Sequence, residues 1–324
     1  MAMRAVIRST GGPETIEWET VDLPAPGAGE VRMRNVAVGL NFIDTYHRSG
    51  LYPVALPSGL GGEAAGVVEA VGEGVTGLSP GDRVATFGPG LGAYATERNV
   101  AATSLFKLPD GISEDVAAAA MLKGCTAEFL AERCAVLHAG DTAMVHAAAG
   151  GVGQILVQWL NHLGIVVIAT VGSADKAARA KALGAAHVIL YGEEDVGARV
   201  RELTGGAGCA VVFDGVGRDT WAGSLAATRR RGLIISYGNA SGPVEGVNLA
   251  ALNVAGSLFV TRPKLFDYYV TPQERMAGAA RLFDLIGRGV IQIEIGQRFA
   301  LKDAADAHRA LEARATTGST LLMV

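Results

Sequence analysis

Residues 146 to 153 read His-Ala-Ala-Ala-Gly-Gly-Val-Gly, a run of small side chains between the apolar segment Thr142-Ala-Met-Val and an apolar-periodic segment from Gln154 to Leu163. A turn of this kind, set between a buried strand and a helix, lets a pyrophosphate approach the unpaired N–H groups at the helix start. Read strictly, the pattern is Ala148-x-Gly150-x-x-Gly153, with alanine where the first glycine usually stands. Alanine tolerates that turn only where its φ is not strongly positive, while Gly150 and Gly153 keep close backbone approach and close helix packing. Ala149, Gly150, Gly151 and Val152 are therefore the candidate phosphate-contacting positions. The plainer alternative, small residues that only ease strand–helix packing, is weakened by the strand–helix units that follow.

A second cluster lies at the end of the next apolar run, Ala169-Thr-Val-Gly172-Ser173, followed by Ala174-Asp-Lys176. An NAD site commonly places a carboxylate here to accept from the adenine ribose hydroxyls, but this strand end is uncharged. Ser173 could donate to a 2′-phosphate, Lys176 could bring a flexible positive charge, and Tyr191 could cover that phosphate. This predicts NADPH rather than NADH, with Asp175 as an opposing charge at a helix start. Further on, Asp214-Gly-Val216-Gly217 and Gly238-Asn239 each follow an apolar run, and loops at successive strand ends of a doubly wound sheet converge on the nicotinamide half.

The elements that must hold these residues follow from the rhythm of the chain. Strand candidates Thr142 to His146, Ile165 to Thr170, His187 to Leu190, Ala210 to Phe213, Gly232 to Ser236 and Asn253 to Phe259 alternate with helical segments near 153–163, 174–184, 194–204 and 219–228. Parallel crossovers are the economical topology. Before them, short runs at Met3–Ile7, Glu30–Ala37, Ala64–Val71, Asp82–Thr86 and Ala93–Val100 are punctuated by Pro26-Gly, Pro80-Gly and Pro89-Gly, the pattern of a β-rich barrel-like module. A helical run begins at Ser113-Glu-Asp and continues to Leu122. After Arg262 come a helical stretch from Thr271 to Gly287, a strand-like Ile291 to Phe299, a helix over Ala304 to Arg314 and an apolar end, Leu321 to Val324. These last pieces are too few for a core of their own. The predicted fold is α/β, a Rossmann-like doubly wound sheet over residues 126–262 inserted in an outer domain made of residues 1–125 and 263–324.

The 324 residues carry 28 basic and 32 acidic side chains, a formal charge of −4, without a basic arm or stripe. Broad attraction to nucleic acid or an anionic membrane is not implied. Cys125, Cys134 and Cys209 form neither a paired framework nor a metal set, and no basic segment precedes a long apolar stretch. A chain of a reducing, cytoplasmic compartment is expected, with inert buried thiols.

The segment Asn41-Phe-Ile-Asp-Thr-Tyr-His-Arg-Ser-Gly-Leu-Tyr-Pro53 resembles the quinone oxidoreductases, the zeta-crystallin-like branch of the medium-chain dehydrogenase/reductase superfamily. The resemblance continues through Pro57-Ser-Gly-Leu-Gly-Gly-Glu-Ala-Ala-Gly66, Leu122-Lys-Gly-Cys-Thr-Ala127, Gly140 to Gln158, Gly238-Asn-Ala-Ser-Gly242 and Thr261-Arg-Pro263, and so covers nearly the whole chain. It implies a GroES-like outer domain, NADPH in an interdomain cleft, a small quinone as acceptor, and a homodimer or larger homo-oligomer. Asn41, Tyr46 and Tyr52 are the residues it places at the reaction, with Asn41 beside the nicotinamide and the phenols in the substrate wall. Lys123, Thr126 and Arg262 are its further cofactor-contacting positions; a hinge or a strand stop is the plain alternative for them. Asp44 and Arg48 are either support for the loop or solvated, and His47 is not assigned proton transfer.

The zinc alcohol dehydrogenases of the same superfamily have a Gly-His-Glu motif where this chain has Gly61-Gly62-Glu63, and Asn41-Phe42 stands near their early cysteine ligand. Glu63 alone cannot hold a zinc ion that ordinarily needs three protein ligands, so no metal is expected. A quinone is already electrophilic and needs less Lewis-acid help than an alcohol does; the protein's task is orientation. Reduction of an activated enal or enone is the enzymatic alternative, and an NADPH-binding structural or RNA-associated protein the non-enzymatic one.

Overall fold

A computed structural model describes residues 1–88 and 90–324. The turn signal at Pro89 lies outside the described residues. In chain order the strands are β1 (Ala2–Ile7), β2 (Glu17–Val21), β3 (Glu30–Leu40), β4 (Ser58–Gly59), β5 (Glu63–Val71), β6 (Arg83–Phe87), β7 (Glu97–Ala101), β8 (Leu105–Lys107), β9 (Thr142–Val145), β10 (Val166–Val171), β11 (His187–Leu190), β12 (Cys209–Asp214), β13 (Thr228–Ser236), β14 (Phe259–Thr261), β15 (Ile295–Ala300) and β16 (Ser319–Met323). The helices are α1 (Phe42–Ser49), α2 (Glu114–Phe129), α3 (Gly151–His162), α4 (Ala174–Ala182), α5 (Val196–Leu203), α6 (Trp221–Ala227), α7 (Leu249–Val254), α8 (Leu265–Tyr268), α9 (Pro272–Gly287) and α10 (Ala304–Glu312). The chain divides into two compact units, residues 1–123 with 275–287 and 293–324, and residues 124–274 with 288–292.

The first unit is β-rich. A seven-stranded sheet runs β15-β16-β3-β5-β6-β8, with β7 paired to the first half of the long, bent β3; a smaller sheet runs β2-β1-β4. Among the described residues, only β15–β16 is a parallel pair, so most strands bury one face and alternate in polarity. Met33, Val38, Leu40, Leu60, Val68 and Tyr94 fill the core, and Leu301, Ala304, Ala307 and Leu322 from the far end of the chain complete it. The two ends of the sequence thus share one apolar interior, as the shortage of core in the last segment predicts.

The second unit is a six-stranded parallel sheet in the order β11-β10-β9-β12-β13-β14. Ile168, Met144, Val212 and Ile234 stand side by side across four strands, each fully buried. A sheet covered on both faces needs this kind of continuous apolar strand. Renumbered from the first strand of the unit, the order is the doubly wound 3-2-1-4-5-6, whose reversal lies between β9 and β12. The crevice beyond the carboxyl ends of those two strands is where such sheets bind ligands.

One strand expectation fails. Asn253 to Phe259 is not a strand: Leu249–Val254 is helical, with the Asn248 side chain accepting from the Ala250 N–H as its cap, and the strand is Phe259–Thr261. Apolarity alone does not separate a short helix from a strand; here Gly256 and Ser257, with φ of 118° and 57°, turn the chain between them. Residues 263–274 also lie with the second unit rather than with the outer domain. There Arg133 donates to the Tyr268 carbonyl, Tyr269 donates to Glu128, and Tyr268 stacks on Phe129. The expected helix to Leu122 runs on to Phe129 and ends in a π-helical turn, Leu130–Cys134.

Candidate active site

The small-residue loop follows β9 and leads into α3, whose N-cap is Gly150. Ala147, not Ala148, takes the left-handed conformation, with φ of 50°, so the alanine in the first glycine's place escapes the strained position. Gly153 is fixed by contact: a Cβ there would lie 2.3 Å from the Ala147 carbonyl oxygen and 2.8 Å from the Ala148 Cα. The loop is folded back on the first turn of α3 so closely that only glycine fits at position 153. Ala149 and the N-cap Gly150 precede α3, and Gly151 and Val152 open it.

At the end of β10, Gly172 lies against Tyr191; a Cβ on Gly172 would sit 2.5 Å from the tyrosine hydroxyl. Ser173 caps α4, its hydroxyl accepting from the Lys176 N–H at 3.4 Å. Gly172 and Ser173 are exposed and Lys176 is half-buried. The loops after β12 and β13 are joined: Ser241 N donates to the Val216 carbonyl, Arg218 N to the Gly242 carbonyl, and a Cβ on Gly238 would strike the Gly215 carbonyl at 2.2 Å. Val216, Gly217, Gly238 and Asn239 are brought together this way. Arg262 joins them, donating to the Gly238 carbonyl at 2.8 Å and to the Ser236 hydroxyl at 3.1 Å, so it does more than end its strand.

Beneath these loops runs a buried polar chain that the sequence reading left unassigned. Asp214, 1% exposed, accepts from the Val216 and Gly217 N–H groups at 2.9 and 3.0 Å and from the hydroxyls of Thr220 and Ser224. Ser224 in turn meets His146 Nε2 at 3.1 Å, and His146 Nδ1 meets the Thr170 hydroxyl at 2.8 Å. Since Ser224 gives its proton to Asp214, His146 donates through Nε2 and accepts at Nδ1. The ring is neutral, and burial pushes its pKa down. Asp214 thereby sets the loop after β12, and His146 ties that loop to the strand ends on the other side of the switch point.

In the first unit the candidate residues hang on α1. Asn41 is its N-cap, and Asp44 reaches back to accept from the Asn41 N–H at 2.9 Å. The Asn41 amide donates to Glu63 at 2.8 Å and to the Gly39 carbonyl at 3.2 Å. Both neighbours are acceptors, which fixes the amide nitrogen toward them. Tyr46 is buried and Tyr52 half-buried; their rings meet edge to face at 5.2 Å, and Tyr52 N donates to the Tyr46 carbonyl. Arg48 is not solvated: it is 2% exposed and pairs with Glu312. His47 meets Tyr52 edge to face, with ring centroids 6.2 Å apart, and burial lowers its pKa.

Glu63 is the centre of this half. Fully buried, it accepts from Asn41, from the Leu122 N–H at 2.7 Å and from Lys123 Nζ at 3.1 Å. The carboxylate of the Gly-Gly-Glu motif is thus committed to three donors. Lys123 is 5% exposed, its charge held by Glu63, while Thr126 is half-buried and belongs to the second unit. Asp44, also fully buried, carries a second chain: Tyr94 donates to it at 3.1 Å and meets His308 Nε2 at 2.9 Å. Burial pushes the Asp44 carboxyl up to about 7 and the His308 imidazole down to about 3. Partners at positions 94 and 308 leave no local signal in the sequence. Among the described residues, no three His, Cys, Asp or Glu side chains are grouped as a metal ion requires.

Residues 27–110 match the family described as alcohol dehydrogenase GroES-like domain, and residues 151–284 the family described as zinc-binding dehydrogenase. A quinone oxidoreductase of Pseudomonas aeruginosa is 53% identical over 324 residues, the whole of both chains. A 2-haloacrylate reductase of a Burkholderia species is 44% identical over 330 residues, covering 100% of this chain and 99% of that one. The crystal structure of Escherichia coli quinone oxidoreductase complexed with NADPH is 47% identical and superposes with a TM-score of 0.97, over 99% of this chain and 100% of that one.

Proposed function

The chain belongs to the quinone oxidoreductases of the medium-chain dehydrogenase/reductase superfamily, and from that premise we propose that it reduces small quinones with NADPH, without a metal ion. The observation that carries this reading is the state of Glu63. In a zinc dehydrogenase the neighbouring histidine would be a ligand; here Gly62 has no side chain to offer, and the glutamate orients an amide and an ammonium group instead. Such a site positions and polarises an acceptor that is already electrophilic.

The second unit fits the dinucleotide. Its pyrophosphate belongs on the N–H groups of Ala149, Gly150, Gly151 and Val152, where the loop and the start of α3 carry little side-chain bulk. The 2′-phosphate falls to Gly172, Ser173, Lys176 and Tyr191, and the nicotinamide half to Val216, Gly217, Gly238, Asn239 and Arg262, with Thr126 of the same unit. NADPH supplies a hydride from nicotinamide C4. Asn41 is held in one orientation by Glu63, and the phenols of Tyr46 and Tyr52 donate hydrogen bonds to the quinone oxygen on which charge develops. Protons reach the hydroquinone oxygens from solvent.

The similarity to a 2-haloacrylate reductase favours a second reading, reduction of an activated carbon–carbon double bond by the same hydride geometry. An anaerobic panel of benzoquinones, naphthoquinones and enones with NADPH separates them. Quinones are expected to give the larger kcat/KM with hydroquinone as product; faster turnover of enones, with the saturated ketone as product, overturns the first reading. Tyr52→Phe should lower quinone kcat/KM by roughly 2- to 10-fold, the worth of one neutral hydrogen bond.

We assign the protein to the cytoplasm and to a homodimer. Among the described residues no helix is long and apolar enough to cross a membrane. β14 is the edge of its sheet and presents Phe259 at 60% exposure, with Val254 and Leu249 at 87% and 75% nearby in the chain. An apolar edge strand is a template for pairing with another copy. A dimeric mass in solution, lost in Phe259→Lys, is the expected result.

A further inference from the structure

Between Gly50, the left-handed residue that ends α1 with φ of 84°, and β4, the chain reads Leu51-Tyr-Pro-Val-Ala-Leu-Pro57. These seven consecutive residues carry no charge, and the Tyr52 hydroxyl is their only polar side-chain group. The segment is fixed along its length. Tyr52 N donates to the Tyr46 carbonyl at 3.0 Å, Val54 packs against the core of the first unit, and Ser58 pairs with Ile7 of β1. With Val54 turned inward, its neighbours face out: Leu51 is 39% and Leu56 42% exposed, and Pro53, Ala55 and Pro57 are exposed as well.

Single exposed apolar side chains are ordinary on a protein surface, but an unbroken run of them on either side of one tyrosine is the pattern of a ligand surface. Pro53 and Pro57 limit the backbone freedom of the segment, so binding to it costs little ordering. Its occupant is small and apolar. No lysine or arginine stands between Arg48 and Arg83, so the loop lacks the cations by which an interfacial segment holds an anionic lipid surface. The exposed side chains of one such loop also fall far short of the area that a stable protein–protein interface buries. Leu56 lies four residues beyond Tyr52, at most roughly 14 Å along the chain, which is the reach of a short hydrocarbon chain.

We propose that the loop at residues 51–57 binds the hydrocarbon substituent of the quinone, so that the preferred acceptors are quinones carrying an alkyl or prenyl chain, with Leu51 and Leu56 as specificity-determining residues. The inference rests on the assignment of Tyr52 to the quinone oxygen. A ring whose oxygen meets that phenol directs a substituent along the apolar residues flanking it, and covering them removes their surface and that of the chain from water. The reaction is the same with or without the chain, a hydride and protons added to the quinone; the loop acts on acceptor binding alone.

Methyl-1,4-benzoquinone and pentyl-1,4-benzoquinone carry one alkyl group each and differ only in its length. Anaerobic initial rates are measured for both with the full-length protein and saturating NADPH. The pentyl compound is expected to show a KM about tenfold lower at similar kcat, the worth of roughly 55 Å² of apolar surface removed from water. Leu51→Asn combined with Leu56→Asn should bring the two KM values within about twofold of each other, because the apolar surface is gone, while the methyl compound is reduced as by the wild type. Leu51→Met combined with Leu56→Met keeps that surface and should keep the preference. Both positions are exposed, so neither pair of changes threatens folding. Equal KM values in the wild type, or a pentyl preference that survives the asparagine changes, overturn the proposal and leave quinone reduction standing. No turnover of either compound overturns the quinone reading and this proposal with it.

Discussion

Two buried carboxylates organise the two units in different ways. Asp214 accepts from groups two to ten residues away in the chain, chiefly backbone N–H groups and hydroxyls, and so shapes a loop. Glu63 draws together side chains 22 and 60 residues distant, and so sets the direction of an amide and an ammonium group. A site that binds phosphates through the main chain needs shape and small residues; a site that orients a reacting ring needs particular side chains held from behind. The first kind tolerates little added volume, and the second little lost charge.

The largest expected effect tests the shape side. Gly153→Ala puts a Cβ where the Ala147 carbonyl oxygen stands at 2.3 Å, which must open the loop. NADPH binding, measured by fluorescence titration, should weaken by about 100-fold, equivalent to roughly 3 kcal/mol of overpacking. Near-normal affinity would mean that this loop is not the phosphate site.

Glu63→Gln tests the charge side. It leaves Lys123 as a buried cation without its partner, so unfolding in urea should show a loss of about 3–5 kcal/mol, and quinone kcat/KM should fall roughly 10- to 100-fold. Adding Lys123→Met should recover much of the stability but not the turnover. If turnover returns with stability, Glu63 is only a packing residue and the contrast between the units collapses.

A third experiment sharpens the electrostatics of the first unit. The Asp44 carboxyl is raised from 3.8 to about 7 in the folded protein, so the folded state binds the extra proton and stability falls as pH rises through that interval. His308 is lowered from 6.5 to about 3, so the unfolded state binds the extra proton and stability rises with pH over its interval. The two slopes oppose each other where the intervals overlap. Asp44→Asn should leave a stability that climbs from about pH 4 to 6.5, and His308→Gln one that declines from about pH 4 to 7, read from urea midpoints. Matching slopes in both variants would contradict the assignment.

How much of this was legible in the sequence follows the same division. The strand-to-helix loops could be read because their determinants are contiguous: small residues at fixed spacing after apolar strands, fitted by a local contact such as Gly153 against Ala147. His187 to Leu190 coincides with β11, and α4 begins where Ser173 offers a cap. Asn41, Tyr46 and Tyr52 are proposed at the reaction from family resemblance alone. The roles of Glu63, Asp214 and the Tyr94–His308 pair were not legible, because burial and long-range hydrogen bonds define them. The strand expected over Asn253 to Phe259 failed for the reason that a short apolar run carries no period of its own.

The smallest expected effect is at Lys176, half-buried at the start of α4, where Lys176→Ala should raise the KM for NADPH by about 2- to 5-fold, as a partly screened charge pair does. The KM for NADH should stay unchanged. An equal rise for both nucleotides would assign the lysine to the shared part of the cofactor.

Anaerobic initial rates with 1,4-benzoquinone, run in parallel with NADPH and NADH, test the central claim most directly. NADPH-dependent quinone reduction predicts a kcat/KM for NADPH at least roughly tenfold above that for NADH, the worth of one charge-assisted phosphate contact, with quinone consumed in step with NADPH oxidised. An equal or greater kcat/KM for NADH, or NADPH oxidation without quinone consumption, would contradict it.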